Sequence, residues 1–539
     1  MTRKFFALLV AVVMLFTCIS IASAEEPMKI SVAGYMYGPY DAEKDVVIPE
    51  IEKILAEKYG INVDIDVVYI EYANYNDIIS PWLAAGTAPD VFLNNGETTL
   101  QSYYEQGLLK TWDVEFFQEN APTVWNFIKT GCNNGDLADQ FDMWLEKACM
   151  GGKMVTVPSL KPDGNMPYKT LIYRGDWLDN LSVSRDELPK TVDEYIDLLT
   201  RFAKEDPDGN GADDTYGCGL TGMKTLFGAY GMSNGFLGGT SYWYVDGDEV
   251  VNPDVSPKSK EVVEILAQMY ADGLIDPEFV SGTEAAPGTY WAASNGLITG
   301  LYGASANASI DHFRLKEVLN DAGGPVAQTY WQTNGDDAEF VYAPWPAGPD
   351  GDYGWSVGYA VAVSESPVYN AKMSDEKLAV IFQILDAFAA DDELYMLAQY
   401  GIEGEHYTMV DGTPVRNPEM TNEDRNAVGI WGARSLYGAD RAFSELAYNL
   451  VFYNDASIAN RLNYFKLDQY NSYIQDAVSV TLPSASSVQS ELNTLRDETY
   501  TAMIRGEKSI DEWDAYVEQY MALGGQTLYD EANEWYASK

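Results

Sequence analysis

The chain has 539 residues, with 34 basic against 82 acidic side chains and a net charge of -48. That field repels phosphates and so excludes nucleic acid as a partner, and it disfavours polyanionic ligands outside a local basic pocket. Two histidines and four cysteines argue against a histidine-based metal centre, and the cysteine spacings form no zinc pattern.

Arg3 and Lys4 precede an apolar run from Phe5 to Phe16, and Ala22-Ser23-Ala24 offers a small-x-small cleavage site before Glu25. This reads as a secretory signal peptide over residues 1–24. A rival cut at Leu15-Phe16-Thr17-Cys18 would leave Cys18 lipidated. Either way the mature chain is expected outside the cytoplasm, at the cell surface or in a periplasm. No later stretch is apolar for 18 residues, so no membrane span is expected. About 515 mature residues exceed what one hydrophobic core usually supports, so two lobes are expected. Cys132, Cys149 and Cys218 remain, which permits one bridge, Cys132–Cys149, and one spare thiol.

Along the mature chain, Met28 to Ala33 reads as a strand ending in a Gly/Tyr-rich loop to Tyr40. A helix follows to Lys58, then a strand near Val63 to Tyr69, a helix from Tyr75 to Ala85, and a short strand at Asp90 to Leu93. Strands alternating with helices at this spacing predict βαβ units and a parallel sheet. Ligands bind beyond the carboxyl ends of such strands. That singles out Tyr35, Tyr37 and Tyr40 after the first strand, and Asn94, Asn95 and Glu97 after the third.

Asp206-Pro-Asp208-Gly-Asn210-Gly-Ala212-Asp213-Asp214 has the spacing of a calcium loop. Asp206, Asp208, Asn210 and Asp214 present oxygens at positions 1, 3, 5 and 9, Ala212 offers its carbonyl at 7, and Gly211 permits the turn at 6. Position 12 is Gly217 instead of a glutamate, so the expectation is a half-site, with a helix before it (Thr191 to Glu205) and none behind. A plain Asp/Asn/Gly turn is the alternative. Further on, helices are expected over Lys258 to Gly273, Glu376 to Phe388 and, broken near Gly506, Glu491 to Met521.

Leu83-Ala-Ala-Gly-Thr-Ala-Pro-Asp90, Gly107-Leu-Leu-Lys-Thr-Trp-Asp113, Tyr270-Ala-Asp-Gly-Leu-Ile-Asp-Pro-Glu-Phe279 and Gly348-Pro-Asp-Gly351 are spread along the mature chain, followed by Tyr400-Gly-Ile-Glu-Gly-Glu-His-Tyr-Thr-Met-Val-Asp-Gly-Thr-Pro-Val415. With these phrases the chain resembles extracellular solute-binding proteins of family 1, in the LplA/LipO and alginate-binding-protein-like branch. The resemblance implies an α/β, two-lobed, periplasmic-binding-protein-like clamshell, type II-like, with several hinge crossovers and a helical C-terminal extension. It implies the substrate-binding component of an ABC importer, a monomer that binds an oligosaccharide and docks on permease subunits. It also implies structural calcium, although Thr215 stands at the tenth loop position where that branch commonly has an acid. Lobe one is expected to hold 25–157 and 297–363, and lobe two 158–296 and 364–539. The alternatives are a secreted glycoside hydrolase and a surface glycan sensor or adhesin without transport.

Sugars present apolar C–H faces ringed by hydroxyls, which aromatic planes and polar side chains recognise. Trp243, beyond the glycine-rich Gly228–Gly239 stretch, Trp291, and Trp345 and Trp355 flanking the Gly348–Gly351 turn are candidates on position. Tyr302 at the end of an apolar strand expected over Gly296 to Tyr302 and Trp431 with Arg434 in a further glycine-rich stretch complete the set. His406 is read as fixing a turn. Gly231-Met-Ser233-Asn-Gly235 matches a G-x-S-x-G elbow, but the following Phe236-Leu-Gly-Gly-Thr240 cannot start the helix an elbow needs, so no catalytic residue is assigned.

Overall fold

The computed structural model describes residues 26–539 except 37–39, 42, 72–73, 95, 132–139, 161–168, 281–301, 309–339, 357–360, 364, 411, 418, 421, 438–442, 445 and 447–472. Two four-stranded sheets organise it. In the first, Met28–Met36 pairs in parallel with Val63–Glu71 and with Val91–Leu93, and Pro367–Tyr369 closes the edge antiparallel to Val91–Leu93. In the second, Lys169–Arg174 runs antiparallel to both Tyr302–Ala308 and Phe340–Ala343, while Tyr216–Cys218 pairs in parallel with Tyr302–Ala308. Val63–Glu71 shows why such segments become strands: its apolar side chains at alternate positions face inward, the period-two pattern of a sheet face.

The helices follow the same logic. Val192–Lys204 buries Val192, Tyr195, Leu198, Leu199 and Phe202 along one face, and Thr191 with Glu194 closes a reciprocal capping box at its start, satisfying amides that otherwise lack partners. Tyr75–Ala85 ends at Gly86 in the left-handed region. Val47–Ile54 passes into one π-helical turn, Leu55–Tyr59.

The two sheets carry separate cores. Ile30, Val32, Ile51, Val91, Trp144, Phe382, Leu394 and Ile430 belong to the first. Tyr173, Phe202, Leu226, Ala304, Val341, Trp355, Leu492 and Tyr500 belong to the second. This corrects the expected lobe boundaries. Tyr302–Ala308 and Phe340–Ala343, expected in lobe one, find their hydrogen-bond partners in Lys169–Arg174 of the second sheet. Asp375–Ala390 and Asp392–Tyr400, expected in lobe two, bury their apolar faces on the first. A short ladder of Ser159–Leu160 with Val361–Ala362 lies where two crossings run side by side. The C-terminal helices Ala485–Ile504, Trp513–Tyr520 and Gln526–Ala537 pack on the second core.

Candidate functional site

Where the two lobes meet there is a cavity of about 570 Å³. Glu97, Leu100, Lys147 and Met150 come from the first lobe, and Thr481, Leu482 and Trp535 from the second. Glu97 opens the helix Glu97–Glu105 just after the third strand, where the sheet topology places ligand loops. Its carboxylate is held from both sides: Lys147 Nζ donates to Oε1, and Thr481 Oγ1 donates to Oε2 at 3.0 Å. Gln101 Nε2 donates to the Pro483 carbonyl at 2.7 Å, and Ser486 Oγ to Glu105 at 2.9 Å, so the lobes are joined along this helix.

A second cavity of about 210 Å³ lies on the second lobe, lined by Lys224, Phe227, Ser233, Asn234, Tyr242 and Trp355 among others. Trp355 stacks on Trp345 with ring centroids 5.6 Å apart and planes 28° apart. Gly228 must be glycine here, because a Cβ would stand 1.9 Å from the Gly354 carbonyl oxygen. Asp476 precedes Thr481 and Leu482 by a few residues in the chain. Its Oδ1 accepts from the amides of Trp243 and Val478 at 2.9 and 3.0 Å. Burial pushes its carboxyl up to about 7, with those amide bonds and Lys147 opposing and the Glu97 charge assisting. Tyr242, in the wall of the second cavity, is pushed up to about 12 by burial and then by Asp476 and Glu97.

The sequence candidates divide. Glu97 lines the inter-lobe cavity and Trp355 the second-lobe cavity. Trp345 is buried behind Trp355 as its stacking partner. Trp243 is 6% exposed and packs near Tyr529 in the second core. Trp431 and Arg434 stand in a helix, Ile430–Tyr437, and not in a loop. Two guanidinium groups stand over the Trp431 ring, Arg425 at 4.8 Å and Arg434 at 4.4 Å from its centroid. Tyr302 begins a strand of the second sheet. Tyr37, Asn95 and Trp291 lie outside the described residues, as do Cys18 and Cys132, while Cys149 is a free, half-buried thiol. His406 accepts from the Ile402 amide at 2.9 Å and does hold a turn. Ser233 bridges to Tyr242 with no helix after it, so the elbow motif is a loop. Sequence reasoning missed Lys147, Tyr242, Asp476 and Thr481. Tyr242, beside Trp243, was within reach of the glycine-rich signal; the others carry no local pattern.

The calcium loop is curled as expected. The Gly211 amide donates to both carboxylate oxygens of Asp206 at 3.1 and 3.2 Å, and Asn210 Nδ2 reaches Asp208 at 2.8 Å and Asp214 at 3.2 Å. Burial, followed by the neighbouring Asp206 and Asp214, pushes the Asp208 carboxyl up, against the Asn210 amide. Among the described residues no three acidic, His or Cys side chains already converge on one point. The donor set still fits a hard cation: inverting one amide, Asn210, turns its oxygen toward the two carboxylates it now bridges. Behind the loop, against expectation, a helix does follow, Leu220–Ala229, but only after Tyr216–Cys218 has joined the sheet. Gly217 donates there to the Leu274 carbonyl, so position 12 is committed to strand pairing.

Solved structures share this architecture. A human-milk-oligosaccharide-binding solute-binding protein of Bifidobacterium longum infantis matches with a TM-score of 0.68 at 18% identity, covering 95% of this chain and 99% of that one. The fold is that of an ABC-transporter solute-binding protein. Alginate-binding protein AlgQ2 matches it with a TM-score of 0.67 at 16% identity, again over 95% and 99% of the two chains. In sequence, this chain is similar to the polygalacturonan/rhamnogalacturonan-binding protein YtcQ of Bacillus subtilis (strain 168), 23% identical over 95% of this chain and 92% of that protein. Lipoprotein LipO of the same organism is 20% identical over 100% and 99%. No protein-family model matches the chain. Among the described residues no helix is long and apolar enough to cross a membrane.

Proposed function

We propose that this chain is the substrate-binding component of an ABC importer, capturing an oligosaccharide outside the cytoplasmic membrane and presenting it to permease subunits. The observation that carries the reading is a cavity built by both lobes, together with a second one on the second lobe that has a tryptophan face and small polar side chains. A ligand touching both lobes binds the closed form better than the open one and shifts the population toward it. The hinge of that motion is the ladder of Ser159–Leu160 with Val361–Ala362. The similar proteins support the class of ligand, since their names specify polygalacturonan, alginate and milk oligosaccharides. A calcium ion held by Asp206, Asp208, Asn210, Asp214 and the Ala212 carbonyl would neutralise the loop without meeting the sugar. An EF-hand variant among the solved solute-binding proteins supports that reading. A lipoprotein among the relatives supports an anchor at Cys18.

One observation favours a second reading, glycoside hydrolysis: Asp476, with its raised carboxyl, lies within the field of Glu97, and such enzymes use two unequal carboxylates. Both Glu97 oxygens are occupied, however, and the Asp476 oxygen accepts two main-chain amides, which suits a structural role. The deciding experiment is thermal unfolding of the mature protein, from Glu25 onward, with kestose, trigalacturonate, an alginate trimer and Man5GlcNAc, calcium present. A rise of several degrees with one sugar, recovered intact, supports the receptor; recovered cleaved, it establishes the hydrolase. Trp355→Ala is expected to weaken that binding by about 1–3 kcal/mol, the value of a buried aromatic face, and unchanged affinity would remove Trp355 from the site.

A further inference from the structure

The wall of the second-lobe cavity contains a turn that ought not to be stable alone. Leu237, a branched residue, sits at φ +49°, in the left-handed region that favours glycine. Strain of this kind persists where the surroundings over-determine it, and it clusters at functional sites. The surroundings here come from the far end of the chain. On the helix Ala485–Ile504, Arg496 Nη2 donates to the carbonyls of Gly235 and Gly239 at 2.9 and 3.0 Å. The next residue, Asp497, accepts from the Leu237 amide at 3.0 Å and from Arg496 Nε at 2.9 Å. Two consecutive side chains therefore hold the turn at both ends and at its strained middle.

Arg496 is itself fixed. Its side chain and that of Asp254 are both 0% exposed, 3.3 Å apart. Tyr520 donates to the Asp254 carboxylate at 3.1 Å, while Tyr500 and Tyr516 donate to its main-chain carbonyl at 2.7 and 2.9 Å. Ser241, on the returning arm of the turn, donates to Asp254 and accepts from the Gly235 amide at 2.7 Å. A buried ion pair adds little net stability compared with apolar side chains of the same volume. Its guanidinium does supply what apolar groups cannot: a rigid fork that grips two carbonyls at once.

We propose that Arg496 and Asp497 are positioning residues for recognition: they clamp the Gly235–Gly239 turn so that Asn234, Gly238 and Tyr242 present a preformed wall to the glycan. This rests on the receptor reading above. A wall that needs no ordering on binding spares the complex the entropy of fixing a loop, and the C-terminal helices thereby become part of the site.

The test compares Arg496→Lys and Asp497→Ala with Tyr516→Phe, which loses a bond to Asp254 but none to the turn. In the sugar-free protein, hydrogen exchange at the Leu237 amide should be at least about tenfold faster in the two clamp variants and unchanged in Tyr516→Phe. Titration with kestose, trigalacturonate, the alginate trimer and Man5GlcNAc should show the sugar that binds wild type binding both clamp variants about tenfold more weakly. Tyr516→Phe should keep wild-type affinity even though it melts lower. Equal exchange at Leu237 in all four proteins, or clamp variants that bind as well as Tyr516→Phe, overturns the proposal. A wild-type protein that binds none of the sugars overturns it differently, through the receptor reading beneath it.

Discussion

Asp476 shows how one buried acid can tie the stability of this protein to pH. An exposed aspartate releases its proton near pH 4, whereas burial holds this carboxyl up to about 7. Between those values the native form keeps a proton that the unfolded chain has lost. Stability contributed by this group therefore falls as pH rises through that window and is flat above it. An asparagine in its place would retain an oxygen for the Trp243 and Val478 amides while removing the titration. The variant Asp476→Asn is accordingly expected to melt at or above the wild-type temperature near pH 8. Its advantage should shrink steadily on acidification to about pH 5. Melting curves that stay parallel across that range would show that Asp476 is not the titrating group.

At the scale of elements, the acidic loop between Val192–Lys204 and Tyr216–Cys218 makes a separate prediction. Its aspartates crowd one another, and Asp208 is already pushed up by its surroundings. A bound divalent ion would offset that repulsion and stabilise by mass action, about 2.7 kcal/mol when free calcium is a hundred times its Kd. Chelation should therefore lower the melting temperature of wild type while leaving that of Asp206→Ala unmoved. No shift in wild type, with no calcium found by elemental analysis, would leave the loop an ordinary turn. The segments around this loop were legible because their signals are local. The Thr191–Glu194 capping box and the Leu198/Phe202 stripe announce the helix, and alternation announces Val63–Glu71. Trp431 and Arg434 read as loop in the sequence because Gly429 and Gly432 flank Trp431. Gly429 is at φ +92°, before the helix begins, while Gly432 lies inside it, where a Cβ would crowd Val67. Close packing, not a turn, accounts for the second glycine. Lys147, Thr481 and Asp476 had no such signal, since each acquires its role only when distant segments meet. The lobe exchange of Tyr302–Ala308 and Asp375–Ala390 has the same cause: strand pairing and helix burial were decided by partners far away in the sequence.

At the scale of the whole molecule, the net charge of -48 opposes any motion that brings the lobes together. Glu97 and Glu146 of the first lobe and Glu531 and Glu534 of the second line the same cavity, so acidic side chains approach one another across it. Closure therefore works against a repulsion that salt can relieve, because the screening length falls from about 30 Å at 0.01 M to about 8 Å at 0.15 M. A neutral sugar has no charge of its own to be screened. Its affinity should consequently rise, by a few-fold, over that range of ionic strength, and small-angle scattering should show the ligand-bound particle more contracted in the higher salt. An anionic sugar should gain more, since it adds its own charge to the closed form, unless a basic side chain of the cavity walls such as Lys147 or Lys224 receives it. In that case screening would weaken the contact and affinity would fall. The sign of the salt effect thus separates recognition by faces and hydroxyls from recognition by ion pairing, and a fall in affinity for kestose would contradict closure against charge repulsion.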